Sequence, residues 1–153
     1  MHLVLLLSLL AGQAVDVEAL YLRGFAAAVE AYDQGGSDES LVVVRDAIAA
    51  LEKVSGGKPG PAEIARLVLV AAAAAAQSER EEMGAYLTHA TDMEMLQIAA
   101  GQPGAPGISA LEAAGDLWLQ VHGFDEAIRA YERAAAVLGM TPRIAAGLSK
   151  ARR

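Results

Sequence analysis

Residues 111–138 read Leu-Glu-Ala-Ala-Gly-Asp-Leu-Trp-Leu-Gln-Val-His-Gly-Phe-Asp-Glu-Ala-Ile-Arg-Ala-Tyr-Glu-Arg-Ala-Ala-Ala-Val-Leu. Apolar residues three and four apart run through both halves, and His122-Gly123 interrupts them, so the stretch reads as two short helices joined by a tight turn. Gly115 and Ala127 are small, which allows the two helices to approach closely. Trp118, Phe124 and Tyr131 are expected to fill the wedge between them. Asp125-Glu126 sets acid in the first turn of the second helix, where the macrodipole favours it.

The design recurs upstream. Gly36-Ser37-Asp38-Glu39-Ser40-Leu41 aligns with Gly123-Phe124-Asp125-Glu126-Ala127-Ile128 at an offset of 87 residues. At that offset Val44 faces Tyr131, Ala47 faces Ala134, Leu51 faces Leu138 and Ala28 faces Gly115. Half the offset falls near Ser78-Glu79-Arg80-Glu81-Glu82-Met83, an acidic start to another apolar helix. Between these segments lie strong loop signals, Gly35-Gly36-Ser37, Ser55-Gly56-Gly57-Lys58-Pro59-Gly60-Pro61 and Gly101 to Gly107, the last read as an extended spacer. Asp38 and Ser78 are candidate helix caps. Pro61 and Pro142 suit first helical turns. Six consecutive alanines, Ala71 to Ala76, continue the helix that Pro61 opens.

Residues 111–138 resemble a tetratricopeptide repeat, through Leu111, Gly115, Trp118, Phe124, Ala127, Ile128, Tyr131 and Ala134. His122 stands where that family has a turn glycine, and its terminal proline is displaced to Pro142. The resemblance implies an all-α fold, a right-handed superhelical array of about three helical hairpins plus a C-terminal capping helix. The hairpins would cover about 16–54, 61–100 and 108–138, and the capping helix about 142–152, within one domain, 15–153. Members of the family bind peptides on the row of residues presented by the first helix of each pair. Carried over, that row comprises Leu22, Phe25, Val29, Tyr32 and Asp33, then Ile64, Leu67, Ala71, Ala74 and Ala75, then Ser109, Glu112, Asp116, Leu119 and Gln120. Phe25, Tyr32, Leu67 and Leu119 are the expected anchors, with Asp33, Glu112 and Asp116 flanking them to select a basic residue in an apolar ligand. The same apolar residues serve equally as core.

Composition narrows the classes. The chain has 153 residues and a net charge of −7, an acidic balance that disfavours nucleic acid. Absence of cysteine excludes disulfides, thiolate metal sites and thiol catalysis. A hydrophobic fraction of 54% with 20% charged residues excludes a wholly disordered chain. The alanine-rich, aromatic-poor apolar content reads as close-packed helices. The charge is unevenly placed: from Gly123 onward Arg129, Arg133, Arg143, Lys150, Arg152 and Arg153 outnumber Asp125, Glu126 and Glu132. This is either dipole compensation at a helix end or a basic docking tip.

Residues 1–14 are expected to be a signal peptide. Leu3 to Leu10 is an uncharged apolar run, too short to span a bilayer, and Gly12 and Ala14 suit cleavage. The protein would then be periplasmic or secreted, and cytoplasmic otherwise. Chemistry-bearing motifs are few. His89, Asp92, Met93 and Met95 have metal-ligand types, but no second histidine stands near. Gly56-Gly57-Lys58 lacks the spacing of a phosphate loop, and neither Gly-x-Ser-x-Gly nor His-Glu-x-x-His occurs. No cofactor and no catalytic set is assigned. The expected function is that of an exported adaptor or accessory protein binding a protein or peptide partner. The alternatives are a structural homo-oligomer and, behind it, a small metal-handling or enzymatic protein.

Overall fold

The computed structural model describes residues 15–153, so the expected signal segment lies outside the described residues. Seven helices follow in order: α1 Val17–Asp33, α2 Val42–Ser55, α3 Pro61–Ala76, α4 Arg80–Ala99, α5 Ala110–Gln120, α6 Phe124–Leu138 and α7 Pro142–Ala151. No strand occurs among the described residues. Local sequence sets most of the boundaries. Asp16, Ser109 and Thr141 cap α1, α5 and α7 through their side-chain oxygens, and Pro61 and Pro142 sit in first turns. Two expected caps are corrected. Ser37 Oγ accepts from the Ser40 amide at 3.2 Å, which closes a turn over 38–41 and delays α2 to Val42. Asp38 is thereby left to pair with Arg45 at 2.8 Å. Ser78 adopts a left-handed conformation, and α4 starts after Glu79 with no side-chain cap.

Helices α1–α2, α3–α4 and α5–α6 form three hairpins, and α7 packs on both α5 and α6. The first helices also meet in succession, α1 on α3, α3 on α5 and α5 on α7. Helix α3 sits in the middle, touching α1, α2, α4 and α5. Its alanine run makes this arrangement feasible. Ala71, Ala72, Ala74, Ala75 and Ala76 are buried, and their short side chains leave room for neighbours on several sides at once.

The repeat is also written in the turns. Gly35, Ser78 and His122 are all left-handed, with φ of 84°, 62° and 59°. Each is followed by an amide that donates back to the helix it ends: Gly36 to Ala31 O at 2.8 Å, Glu79 to Ala74 O at 2.9 Å and Gly123 to Trp118 O at 2.8 Å. The same Schellman geometry therefore closes α1, α3 and α5, and α4 ends in it too, at Gly101. The three residues stand 43 and 44 apart, matching the half-offset in the sequence. Gly36 also lies so close to the Ala76 carbonyl that a β-carbon would collide with backbone, which joins the first turn to the end of α3.

Inside the last hairpin the Tyr131 ring lies against Gly115 of α5 and Gly147 of α7, where added methyls would strike it. The other two expected wedge residues behave differently. Phe124 is 45% exposed, because it starts α6 before the helix reaches its partner. Trp118 is half-buried and faces α4, with Gly84 beneath its ring and the Arg80 guanidinium 5.2 Å from its centroid. The Gly101–Gly107 segment is pinned down rather than extended as a spacer. A β-carbon on Gly107 would lie 3.0 Å from Leu22 Cδ2 of α1. The buried Glu94 accepts from Ala105 N at 2.9 Å, Ser109 Oγ at 2.7 Å and Leu111 N at 3.0 Å. These three donors satisfy the carboxylate and fix where α5 begins.

Candidate functional site

An open groove of about 410 Å³ runs between α1, α5 and α7. Phe25 and Val29 form one wall from α1, and Asp116, Leu119 and Gln120 form the floor from α5. Arg143, Ala146, Gly147 and Lys150 form the other wall from α7, beside Tyr131 of α6. The floor exists because α5 presents one face three and four residues apart to the space that α1 and α7 leave open.

Of the row expected to bind a partner, the structure brings Phe25, Val29, Asp116, Leu119 and Gln120 into this groove. Tyr32 lies apart, in a depression of about 170 Å³ with Ala75, Ser78, Arg80 and Val121. Phe25 and Leu67 are corrected as exposed anchors, since they are only 6% and 1% exposed. Phe25 packs its ring against Tyr21 at a centroid distance of 6.3 Å, so it supports the groove from below. Leu67 is core because α3 is enclosed, as are Ile64, Ala71, Ala74 and Ala75 of the same expected row.

The acids do not flank the groove as free charges. The Tyr131 hydroxyl donates to Asp116 Oδ1 at 2.5 Å, and Arg143 Nε donates to Oδ2 at 2.7 Å. Burial, followed by the Asp116 contact, pushes the Tyr131 phenol well above its ordinary range and keeps it a neutral donor. Glu112 accepts from Thr141 Oγ1 at 2.7 Å, tying α5 to the cap of α7. The expected preference for a basic ligand residue therefore loses two of its three carboxylates to internal contacts.

The wall from α7 went unanticipated as part of a groove. Its signal is present in the spacing, because 143, 146, 147 and 150 share one helix face. The basic tip divides accordingly. Arg133 and Arg152 pair with Asp92 and Glu132, whereas Lys150 makes no ion pair among the described residues. Arg133 also engages the soft-metal candidates, reaching Asp92 Oδ1 and Met95 Sδ, both at 2.9 Å. Among the described residues no cluster of three or more His, Asp or Glu is placed to hold a metal. No helix among them is long and apolar enough to cross a membrane.

Comparison with known proteins gives no assignment: no family model, no curated protein and no solved structure matches the chain.

Proposed function

We propose that the chain is an exported tetratricopeptide-like adaptor or accessory protein that holds a segment of a protein partner in the groove between α1, α5 and α7 and does no chemistry itself. The observation that carries this reading is the groove itself. It is assembled from the first helices of the first and last hairpins together with α7, and Val29 on its wall is 38% exposed although apolar. The even spacing of the turns inside the three hairpins, at 35, 78 and 122, supports the repeat reading. Export rests on the uncharged apolar run of residues 3–10 and the small residues Gly12 and Ala14. A homo-oligomer is the second reading, favoured by Val43 and Val54, which are 44% and 43% exposed and lie eleven apart on one face of α2.

One set of measurements on protein from its native host addresses these points. Intact mass should give a chain beginning at Val15 or nearby, and retention of Met1 on cytoplasmic protein would refute export. Cross-linking followed by capture should recover a partner that Val29→Glu with Leu119→Glu loses at an unchanged melting midpoint. A partner retained by that folded variant refutes the groove. A cross-linked product containing only this chain, lost on Val43→Glu, favours the oligomer.

A further inference from the structure

The hydrogen-bonding groups that line the groove are unbalanced. Among the described residues Asp116 is its one carboxylate, and both oxygens are occupied by Tyr131 and Arg143. What remains is donors. Arg143 uses Nε on Asp116, and its terminal amino groups make no hydrogen bond among the described residues. Lys150 has no acidic partner among them, so its charge faces the groove uncompensated. The Gln120 amide nitrogen is buried without an acceptor, a state that ordinarily costs free energy. A small turn of that amide into the groove would let an incoming carbonyl satisfy it.

We infer that the groove recognises a short extended peptide segment in which an apolar side chain neighbours an acidic one. The inference rests on the peptide-binding reading and names the ligand class. The apolar side chain lies on Val29 and Leu119, which Phe25 supports from beneath. The carboxylate meets Lys150, and main-chain carbonyls meet Arg143 and Gln120. Dimensions agree. Two turns of α7 separate Arg143 from Lys150, roughly 10 Å along the axis. About three residues of extended chain span the same distance. A basic ligand residue is disfavoured, because it would meet Lys150 with no free carboxylate beside it. The ion pair lies at an open rim, so affinity should fall as salt rises.

The test is selection from a phage-displayed library of random heptapeptides, panned on the purified protein and on its Lys150→Glu and Leu119→Glu variants. Wild-type protein should enrich sequences with Asp or Glu within two positions of Leu, Ile, Val or Phe. The best of these, made as a synthetic peptide, should bind Lys150→Glu at least about tenfold more weakly, roughly one step of 1.4 kcal/mol. Lys150→Glu should select Lys or Arg in place of the acid. Should Lys150→Glu fail to fold, Lys150→Gln serves, with loss of the acid preference as the expected result. Enriched peptides that need Leu119 but no acid overturn this inference and leave the peptide-binding reading standing. Peptides that bind wild-type and Leu119→Glu protein alike, or no enrichment at all, overturn both.

Discussion

Helices α3 and α6 occupy hairpins of the same plan, yet they bury very different parts of themselves. Helix α3 buries well over half of its circumference, Ile64, Ala65, Leu67, Leu69, Ala74 and Ala76 among them, and leaves Arg66, Val70 and Ala73 half-buried on the remaining side. Helix α6 buries Ala127, Tyr131 and Ala134, a single stripe at spacings of four and three. It leaves Asp125, Arg129, Glu132 and Arg133 exposed to solvent. The cause is the number of neighbours. Helix α3 is enclosed by α1, α2, α4 and α5, whereas α6 packs on α5 and α7 and reaches α4 through long side chains such as Arg133. Helices packed 8–10 Å apart on every side leave little room for large residues all round, so a central helix substitutes alanine. A repeat signature that depends on one polar face is therefore clear at α6 and erased at α3, although both helices serve the same array.

The largest effect that sharpens this contrast is a cavity. Leu67→Ala should destabilise by about 2–5 kcal/mol, because the side chain is 1% exposed and the enclosed helix cannot collapse to fill the void. Leu119→Ala removes the same atoms from a half-buried position on the groove floor, and it should cost clearly less. Urea melts would compare the two through their midpoints at constant slope. Equal losses would mean that Leu119 is core, and the distinction between enclosed and groove-lining leucines would fail.

Most of the fold was legible because helix boundaries depend on nearby residues. Pro61, Pro142, Gly35 and the 55–60 loop mark them without help from the rest of the chain. The position of the turn was legible at 35–36 and 122–123 from the offset, and at 78 only as a faint copy, since serine rather than glycine holds it. Much of the candidate site was not legible. Whether Phe25 faces a ligand or Tyr21 depends on how α1 settles on its neighbours, and no local pattern encodes that. Nothing in the sequence near Glu94 marks it as buried. Its burial depends on three donors that lie 11, 15 and 17 residues further on. Asp116 read as a free acid because its partners, Tyr131 and Arg143, come from two later helices.

A second, smaller effect distinguishes the two helices by pH. Glu63, in the first turn of α3, is 5% exposed. It accepts from Arg66 at 2.9 and 2.6 Å and from Ser55 Oγ at 2.7 Å. The Arg66 hydrogen bonds, helped by Ser55 and opposed by burial, hold its carboxyl below the ordinary value of 4.5. A carboxyl depressed in the folded state contributes stability above its unfolded pKa. That contribution is lost as pH falls from about 4.5 through the lower folded value. Melting midpoints followed downward from neutral pH should therefore drop through this window, and Glu63→Gln should flatten the drop. On α6 the exposed Glu132 pairs with Arg152 at 3.1 Å, where water screens both, and Glu132→Gln should cost little stability at neutral pH. Identical acid limbs for wild type and Glu63→Gln would remove the electrostatic part of the contrast.

The smallest effect concerns the turns that the hairpins share. Gly35, Ser78 and His122 hold the same left-handed conformation, but only the first is glycine. A β-carbon there crowds the following carbonyl, a cost of about 1–2 kcal/mol that glycine escapes. Glycine returns part of that gain through the greater entropy of its unfolded chain. Ser78→Gly should accordingly stabilise by about 0.5–1 kcal/mol, seen as a rise of roughly 2–4 °C in melting midpoint. His122→Gly should give less, because the imidazole tilts against the Phe124 ring at 5.9 Å and that contact would be lost. Gly35→Ala carries the opposite sign and should destabilise by about 1 kcal/mol. If the three turns are equivalent, the middle and last hairpins gain from the same substitution despite their different compositions. A loss of stability on Ser78→Gly would show instead that the middle turn is held by its serine, and the 43-residue repeat would then end at the level of backbone shape.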